Sequence, residues 1–350
     1  MLLWSPEEYQ FMLELIKENP SYTYSEIAKI MTERFGREFT ENAVRCKLKR
    51  DSKTTKTTLF HENRKNEINN SLDELLNLVI HMQEELQRLD DRQTEVSVTI
   101  DDDKPIGIVF TGDLHIGGLY TDHRQMLHDF HLIRETEGLY AVLMGDYTDN
   151  YITRSHPGGS FEQVITADKQ RKLCEYIFDK FFSNGKTIAV LKGNHDNWST
   201  KETGEDFVAH LARKIGSPYL WYGGAIKVKL GSVEYLIHAH HTFKYNSSLN
   251  TTNSQRNLFN ITHADVIALG HVHTNEAHQK SVGGKDTIWL RTGSYKITDD
   301  YSQWLGGLKA DSRIPMVILW PDSKKVLGFR DFRDGITHLK VVREGVTVEV

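Results

Sequence analysis

Five short apolar runs in this chain end in the same kinds of residue, and that recurrence constrains the fold more than any other feature. The runs lie at 106–111, 140–144, 187–191, 233–237 and 265–269. They are rich in branched and aromatic side chains, and each reads as a buried strand. After them come Gly112-Asp113-Leu114-His115, Gly145-Asp146-Tyr147-Thr148-Asp149-Asn150, Gly193-Asn194-His195-Asp196, His238-Ala239-His240-His241 and Gly270-His271-Val272-His273. Four of the five turn through a glycine, which lets the backbone bend sharply and approach a ligand. Further strands at 287–291 and 316–320, with helical stretches such as 169–182 between, make an α/β arrangement. Ligands of open α/β sheets gather at the carboxyl ends of strands. One Gly-Asp after a strand reads as a helix cap; five such ends in order read as donors converging on one place.

The donor types narrow the chemistry. Carboxylate and imidazole together suit manganese, iron or zinc, and the lack of thiolates argues against a structural zinc cage. Only two cysteines occur, Cys46 and Cys174, so no disulfide framework is available and a reducing compartment, the cytoplasm, is expected. The net charge of −5 gives no global basic field. The start, MLLWSPEEYQF, lacks the order of a secretion signal, and no stretch approaches the ~20 apolar residues of a membrane span. No membrane partner is expected.

In these blocks the chain resembles the calcineurin-like metallophosphoesterase superfamily. That family's pattern is Asp-x-His, Gly-Asp-x-x-Asp, Gly-Asn-His-Asp/Glu, a lone His, then Gly-His-x-His, and all five stand here in order over 106–292. The resemblance implies an α/β fold over 105–350, a four-layer α-β-β-α sandwich, and hydrolysis of a phosphoester with two divalent metal ions. Manganese comes first, with iron or zinc as alternatives. Asp113, His115 and His273 would bind one ion, Asp146 would bridge both, and Asn194, the lone histidine and His271 would bind the other. His195 would protonate the leaving oxygen or stabilise its charge, as a histidine near its ordinary pKa can. Asp149 and Asp196 would accept hydrogen bonds that orient ligand or catalytic side chains. The lone histidine is His238, His240 or His241. His238 directly follows the expected strand and precedes the small Ala239, so it fits the family pattern best. His240, on the same face if the strand ran on, is the next choice. Arg154, Ser155, His156 and Gly158-Gly159 lie in a loop where substrate would pass, and read first as solvated surface. His210, His263 and His278 read as surface or core histidines.

The segment 1–59 has a different texture. Ser5-Pro6-Glu7-Glu8 reads as a capped helix start followed by Phe11, Leu13, Leu15 and Ile16. A second helix follows Ser25, carries Ile27, Ala28, Ile30, Met31 and Phe35, and ends at Gly36. Thr40 caps a third, with Ala43, Val44 and Leu48. This small three-helix domain resembles a Myb-like helix-turn-helix. The resemblance implies DNA contact through Arg45, Lys47, Lys49 and Arg50 on the third helix, with Lys53 and Lys56 beyond. The alternative is a solvated face of a protein-interaction domain. Over 60–98, Ile68, Leu72, Leu75, Val79, Met82, Leu86 and Leu89 recur at spacings of four and three, a heptad seam. It reads either as one long helix packing on its own chain or as a coiled coil that makes a homodimer. Residues 99–105, with three aspartates, read as a linker.

These parts fit a phosphodiesterase or nuclease directed to DNA by residues 1–59. The alternative is a phosphatase or small-molecule phosphodiesterase whose helical domain only localises it. A non-catalytic DNA-binding regulator would be expected to have lost Asp146 or Asn194, and both are present. The residues after 292 read as closing strands, without the extra capping domain of relatives that process DNA ends.

Overall fold

A computed structural model of the chain describes residues 4–90, 93–152, 158–183, 185–247, 250–304, 306 and 310–345, with backbone only at 51–68 and 301. It divides into two units, Met1–Asp90 and Asp91–Val350.

The first unit is helical: α1 (Pro6–Glu18), α2 (Tyr24–Phe35) and α3 (Glu41–Arg88). Ser5 and Glu8 form a reciprocal capping box at α1, as expected. At α2 the box is made by Thr23 and Glu26, so that helix begins before Ser25. Gly36 ends α2 with φ +63°, the left-handed turn a glycine makes without a Cβ clash. The core is Met12, Ile27, Ala28, Met31, Phe39 and Val44. Leu13, expected on the apolar face of α1, is 37 % exposed, and Met12 is fully buried instead. Arg37 grips Glu8 with two hydrogen bonds of 2.6 Å, tying the α2–α3 turn to α1.

The third short helix and the heptad segment are one continuous 48-residue helix, with no break at 59. No glycine or proline lies between 41 and 88 to interrupt it. Leu72, Leu75, Val79, Met82, Leu86 and Leu89 are each more than half exposed. The side chain of Ile68, like those of Lys53 and Lys56, lies outside the described residues.

The second unit is an α-β-β-α sandwich, as the resemblance implied. One sheet has the order β1-β5-β6-β7-β9-β8: β1 (Glu95–Ile100), β5 (Gly223–Leu230), β6 (Val233–His240), β7 (Val266–Leu269), β8 (Glu276–Val282) and β9 (Lys285–Arg291). The other has the order β11-β10-β2-β3-β4: β2 (Ile106–Thr111), β3 (Leu139–Leu143), β4 (Thr187–Val190), β10 (Met316–Leu319) and β11 (Val326–Phe329). Residues 95–100, read as helix and linker, instead form β1, paired in parallel with β5. Alternate side chains of β2 and β6, Ile106, Ile108 and Phe110 against Tyr235, Ile237 and Ala239, meet between the sheets. The outer face of the five-stranded sheet packs on α4 (His123–Glu135), α5 (Ala167–Phe182), α7 (Phe207–Lys214) and α10 (Phe332–Arg343). The outer face of the six-stranded sheet packs on α8 (Asn253–Thr262) through Leu258, Phe259 and Trp289. Among the described residues no helix is long and apolar enough to cross a membrane.

Strands β2, β3 and β4 run parallel, as do β6, β7 and β9. Six carboxyl ends, three from each sheet, therefore carry the loops that matter.

The phase of α1 is testable. Met12→Ala should destabilise the helical unit by about 2–5 kcal/mol, the range for truncating a buried long side chain. Leu13→Ala should change it by less than about 0.5 kcal/mol. Hydrogen exchange of the α2 amides in the full chain reads both; equal losses would contradict this packing.

Candidate metal centre

The site begins with two glycines. Gly145 has φ +94°, and a Cβ there would strike the backbone of Gly193; a Cβ on Gly193 would land on Asp146. The loops after β3 and β4 thus approach more closely than any side chain allows. Asp196, near the start of α6 (Asn194–Thr203), fastens them. Its carboxylate accepts the N–H groups of Asp146 (2.8 Å), Tyr147 (3.1 Å) and Gly193 (2.9 Å).

The loop after β2 is laid on the same scaffold: the N–H of Asp113 donates to Gly145 O, and those of Leu114 and His115 to Asp146 O. Asp113, His115, Asp146, Asn150, His271 and His273 all have φ between +47° and +74°. A left-handed non-glycine residue costs about 1–2 kcal/mol, and such residues cluster where geometry serves function.

Three groups of side-chain atoms converge, each within 4.8 Å: Asp113, His115 and His273; His115, Asp146 and His195; Asp146, His241 and His271. His115 Nε2 and His273 Nε2 are 3.2 Å apart. Asp113 Oδ1 lies 3.4 Å from His273 Nε2 and is buried without a hydrogen bond. Its Oδ2 accepts from His271 N–H (3.0 Å) and Thr292 Oγ1 (3.3 Å). Asp146 accepts the N–H of His195 at Oδ1 (2.8 Å), and its Oδ2 lies 3.2 Å from His241 Nε2. An orphaned carboxylate oxygen facing imidazole nitrogens suits a divalent cation, and this donor set can hold one. His271 is exposed and His273 half-buried, so the site opens on their side.

The fourth-block histidine at the site is His241, not His238. Strand β6 runs three residues past the expected end, to His240. His238 and His240 share one face of it, stacked at 6.0 Å, while Tyr235, Ile237 and Ala239 fill the core from the other. The residue directly after the strand is His241, which is fully buried and bonded to Asn194 Oδ1 (2.9 Å) and Met144 O (2.9 Å).

Asp149 serves two histidines. Its Oδ1 accepts from His115 Nδ1 (2.9 Å), leaving Nε2 to face the site, and its carbonyl accepts from His195 Nδ1 (2.7 Å). Burial pushes His195 down to about 3 against the pull of Asp146, so its ring is neutral with Nε2 left for a substrate. Asn150 Nδ2 holds the carbonyl of His195 (2.6 Å).

Sequence reasoning missed Thr292, Ser294 and Lys296. They follow β9, a sixth strand end whose Thr292-Gly293-Ser294 lacks the imidazole and carboxylate that marked the others. Arg154, Ser155 and His156 lie outside the described residues; Gly159 opens a short turn at 159–162. His210 is exposed, His263 caps α8, and His278 lies against Glu276; none of the three belongs to a converging group. In the helical unit Arg45, Lys49 and Arg50 are exposed on α3, but the Lys47 ammonium lies 4.3 Å from the ring centre of Tyr9.

Residues 106–275 match the family model of calcineurin-like phosphoesterases. The chain carries a calcineurin-like phosphoesterase domain. Similar solved structures include an uncharacterized protein, a predicted phosphoesterase, from Streptococcus pneumoniae TIGR4, at 14 % identity over 64 % of this chain and 97 % of that one, TM-score 0.32. A zinc complex of Vps29 from Entamoeba histolytica matches at 13 % identity over 64 % and 97 %, TM-score 0.32. The calcineurin-like phosphoesterase YfkN from Bacillus subtilis matches at 10 % identity over 68 % and 99 %, TM-score 0.38. No curated protein matches. The phosphoesterase domain makes the chain a metal-dependent phosphoester hydrolase.

The two histidine assignments separate by calorimetry. His241→Gln should weaken manganese binding by at least about 10-fold, while His238→Gln and His240→Gln should leave it within about 2-fold. A His238→Gln protein that loses its metal would restore the first assignment.

Metal uptake should also release protons. Burial alone would lower His241, but Asp146 outweighs it and lifts the ring to about 10, with acceptors at both nitrogens. A cation must displace that proton, so affinity should rise with pH from 6 towards 9. Titration of the metal-free protein in two buffers of different ionisation enthalpy reads the release; a pH-independent affinity would contradict it.

Proposed function

We propose that the phosphoesterase domain is a dinuclear phosphodiesterase acting on DNA, delivered to it by the helical unit. The observation that carries the dinuclear reading is the sharing of Asp146 between two of the three converging groups, which is where one carboxylate can bridge two ions. When bound, two divalent cations, manganese first and iron or zinc as alternatives, would clamp the phosphate and activate a water. The remaining work falls to this chain's own residues. Asp149 keeps the proton of His115 on Nδ1, so Nε2 is a ligand. His195, fixed by the Asp149 carbonyl, offers Nε2 to the leaving oxygen; an anionic phosphoester beside it favours the protonated ring, which then gives the proton up. The open side at His271 and His273 admits a strand end or a displaced strand.

The DNA assignment is supported by Arg45, Lys49 and Arg50 at the start of α3, after a turn held by Arg37 and Glu8. Lys47 contributes to packing on Tyr9 instead. The exposed seam from Leu72 to Leu89 supports pairing with a second copy, which would present two helical units together. Two thiols without a disulfide partner suit a reducing cytoplasm.

The test is a substrate panel with manganese: plasmid, single-stranded DNA, cyclic nucleotides, bis-p-nitrophenyl phosphate and a phosphomonoester. Changing Arg45, Lys49 and Arg50 together to Ala should leave hydrolysis of bis-p-nitrophenyl phosphate unchanged. It should weaken DNA binding and flatten its salt dependence, by about 0.9 in log–log slope for each phosphate no longer neutralised. Unaltered DNA cleavage in that variant would move the assignment to a small-molecule phosphodiesterase or phosphatase.

A further inference from the structure

Lys296 is almost wholly buried, at 1 % side-chain exposure, yet no motif contains it. Its ammonium lies 3.0 Å from Asp149 Oδ1, 3.2 Å from the Tyr151 hydroxyl and 3.6 Å from Asp299 Oδ2. It also lies 4.8 Å from the ring centre of Tyr151. A lysine is taken this far from water only where partners replace its hydration. Its first partner is the oxygen that also receives the proton of His115.

The rest of its segment is tied to the other side of the same site. Thr292 Oγ1 reaches the Asp113 carboxylate, and Ser294 Oγ donates to the Asp113 carbonyl at 2.9 Å. Tyr295 N–H reaches that same carbonyl at 3.2 Å. The Lys296 N–H is held by Ser294 Oγ at 3.0 Å. Thr292, Ser294 and Tyr295 thus brace the loop that carries Asp113, and Lys296 the loop that carries Asp149.

We propose that Lys296 is a positioning residue of the hydrolase: its ammonium fixes the Asp149 carboxylate, and through it the ring of His115. Among the described residues Asp149 Oδ2 is buried without a hydrogen bond, so Oδ1 anchors this side chain, with His115 and Lys296 as the donors on it. With Lys296 gone, one donor is left to hold a buried carboxylate, and His115 Nε2 is no longer held against His273. The Asp149 backbone carbonyl orients His195, so a shift of the 146–150 loop reaches both histidines. The inference rests on the reading of the site as a metal-dependent phosphodiesterase centre.

The experiment uses the full chain with Mn²⁺ as probe and bis-p-nitrophenyl phosphate as substrate. Lys296→Met should weaken Mn²⁺ binding by calorimetry about 10–100-fold, the usual effect of losing a group that orients a metal ligand. It should lower kcat at saturating Mn²⁺ while KM changes by less than about 2-fold. Asp149→Asn should do the same, and the double variant should be no worse than Asp149→Asn alone, because Lys296 acts through Asp149. A folded Lys296→Met protein with unchanged Mn²⁺ affinity and kcat overturns the inference, as do losses that multiply in the double variant. Should Lys296→Met fail to fold, the double variant, which removes both charges, is compared directly with Asp149→Asn. Equal Mn²⁺ affinity then supports the role, and a further loss overturns it. A wild-type chain that neither binds Mn²⁺ nor hydrolyses the diester overturns the parent reading, an outcome that differs from every one above.

Discussion

The close approach of Gly145 to Gly193 sets the position of everything else at the centre. It places the backbone of Asp146 against the loop after β4, where Asp196 receives three N–H groups and leaves the peptides no freedom to rotate. The His195 N–H then falls on Asp146 Oδ1, and the carbonyls of Gly145 and Asp146 take the N–H groups of the loop after β2. Three loops of one sheet are thereby a single object before any ion is considered. Bulk on either glycine would move the carboxylate that two groups of ligands share.

The second sheet supplies the nitrogen-rich half. His241, His271 and Thr292 come from the ends of β6, β7 and β9, and they meet the first sheet through Asp113 and Asp146. Two of the three converging groups draw their donors from both sheets. The apolar layer between them, with Phe110, Tyr235 and Val266 among its members, is what holds the two halves in register. Loss of packing there and loss of metal are expected to be linked, because bound metal stabilises only the assembled state.

Most of the site was legible in the sequence because its donors stand at strand ends and are marked by glycine. Asp113, His115, Asp146, Asn194, His271 and His273 could be placed from that pattern, and the structure brings them together. His238 could not be told from His241 because the choice depends on where β6 stops. A run of His-Ala-His-His carries no apolar alternation that marks the last ladder bond, and a shift of one residue reverses the face. Lys296 was invisible for a different reason: a buried lysine looks like a surface lysine until its partners from other elements are known. Strands β1 and β5 were missed because both mix polar and apolar residues at the sheet's edge region, as in Glu95–Ile100. The first two N-terminal helices were read correctly as elements, and Phe11, Leu15 and Ile16 pack on the core as expected; only Leu13 was misplaced, because it and Met12 are both plausible core side chains and packing alone separates them.

Five residues at this centre, Asp113, His115, Asp146, His271 and His273, hold a backbone shape that glycine would adopt with less strain. Selection for a durable fold alone would write glycine at these positions and erase the ligands. Their presence means the chain has kept a tension that only use can justify. A library screened for heat resistance should therefore drift towards inert proteins, whereas one screened for turnover would have to find its extra stability elsewhere in the molecule.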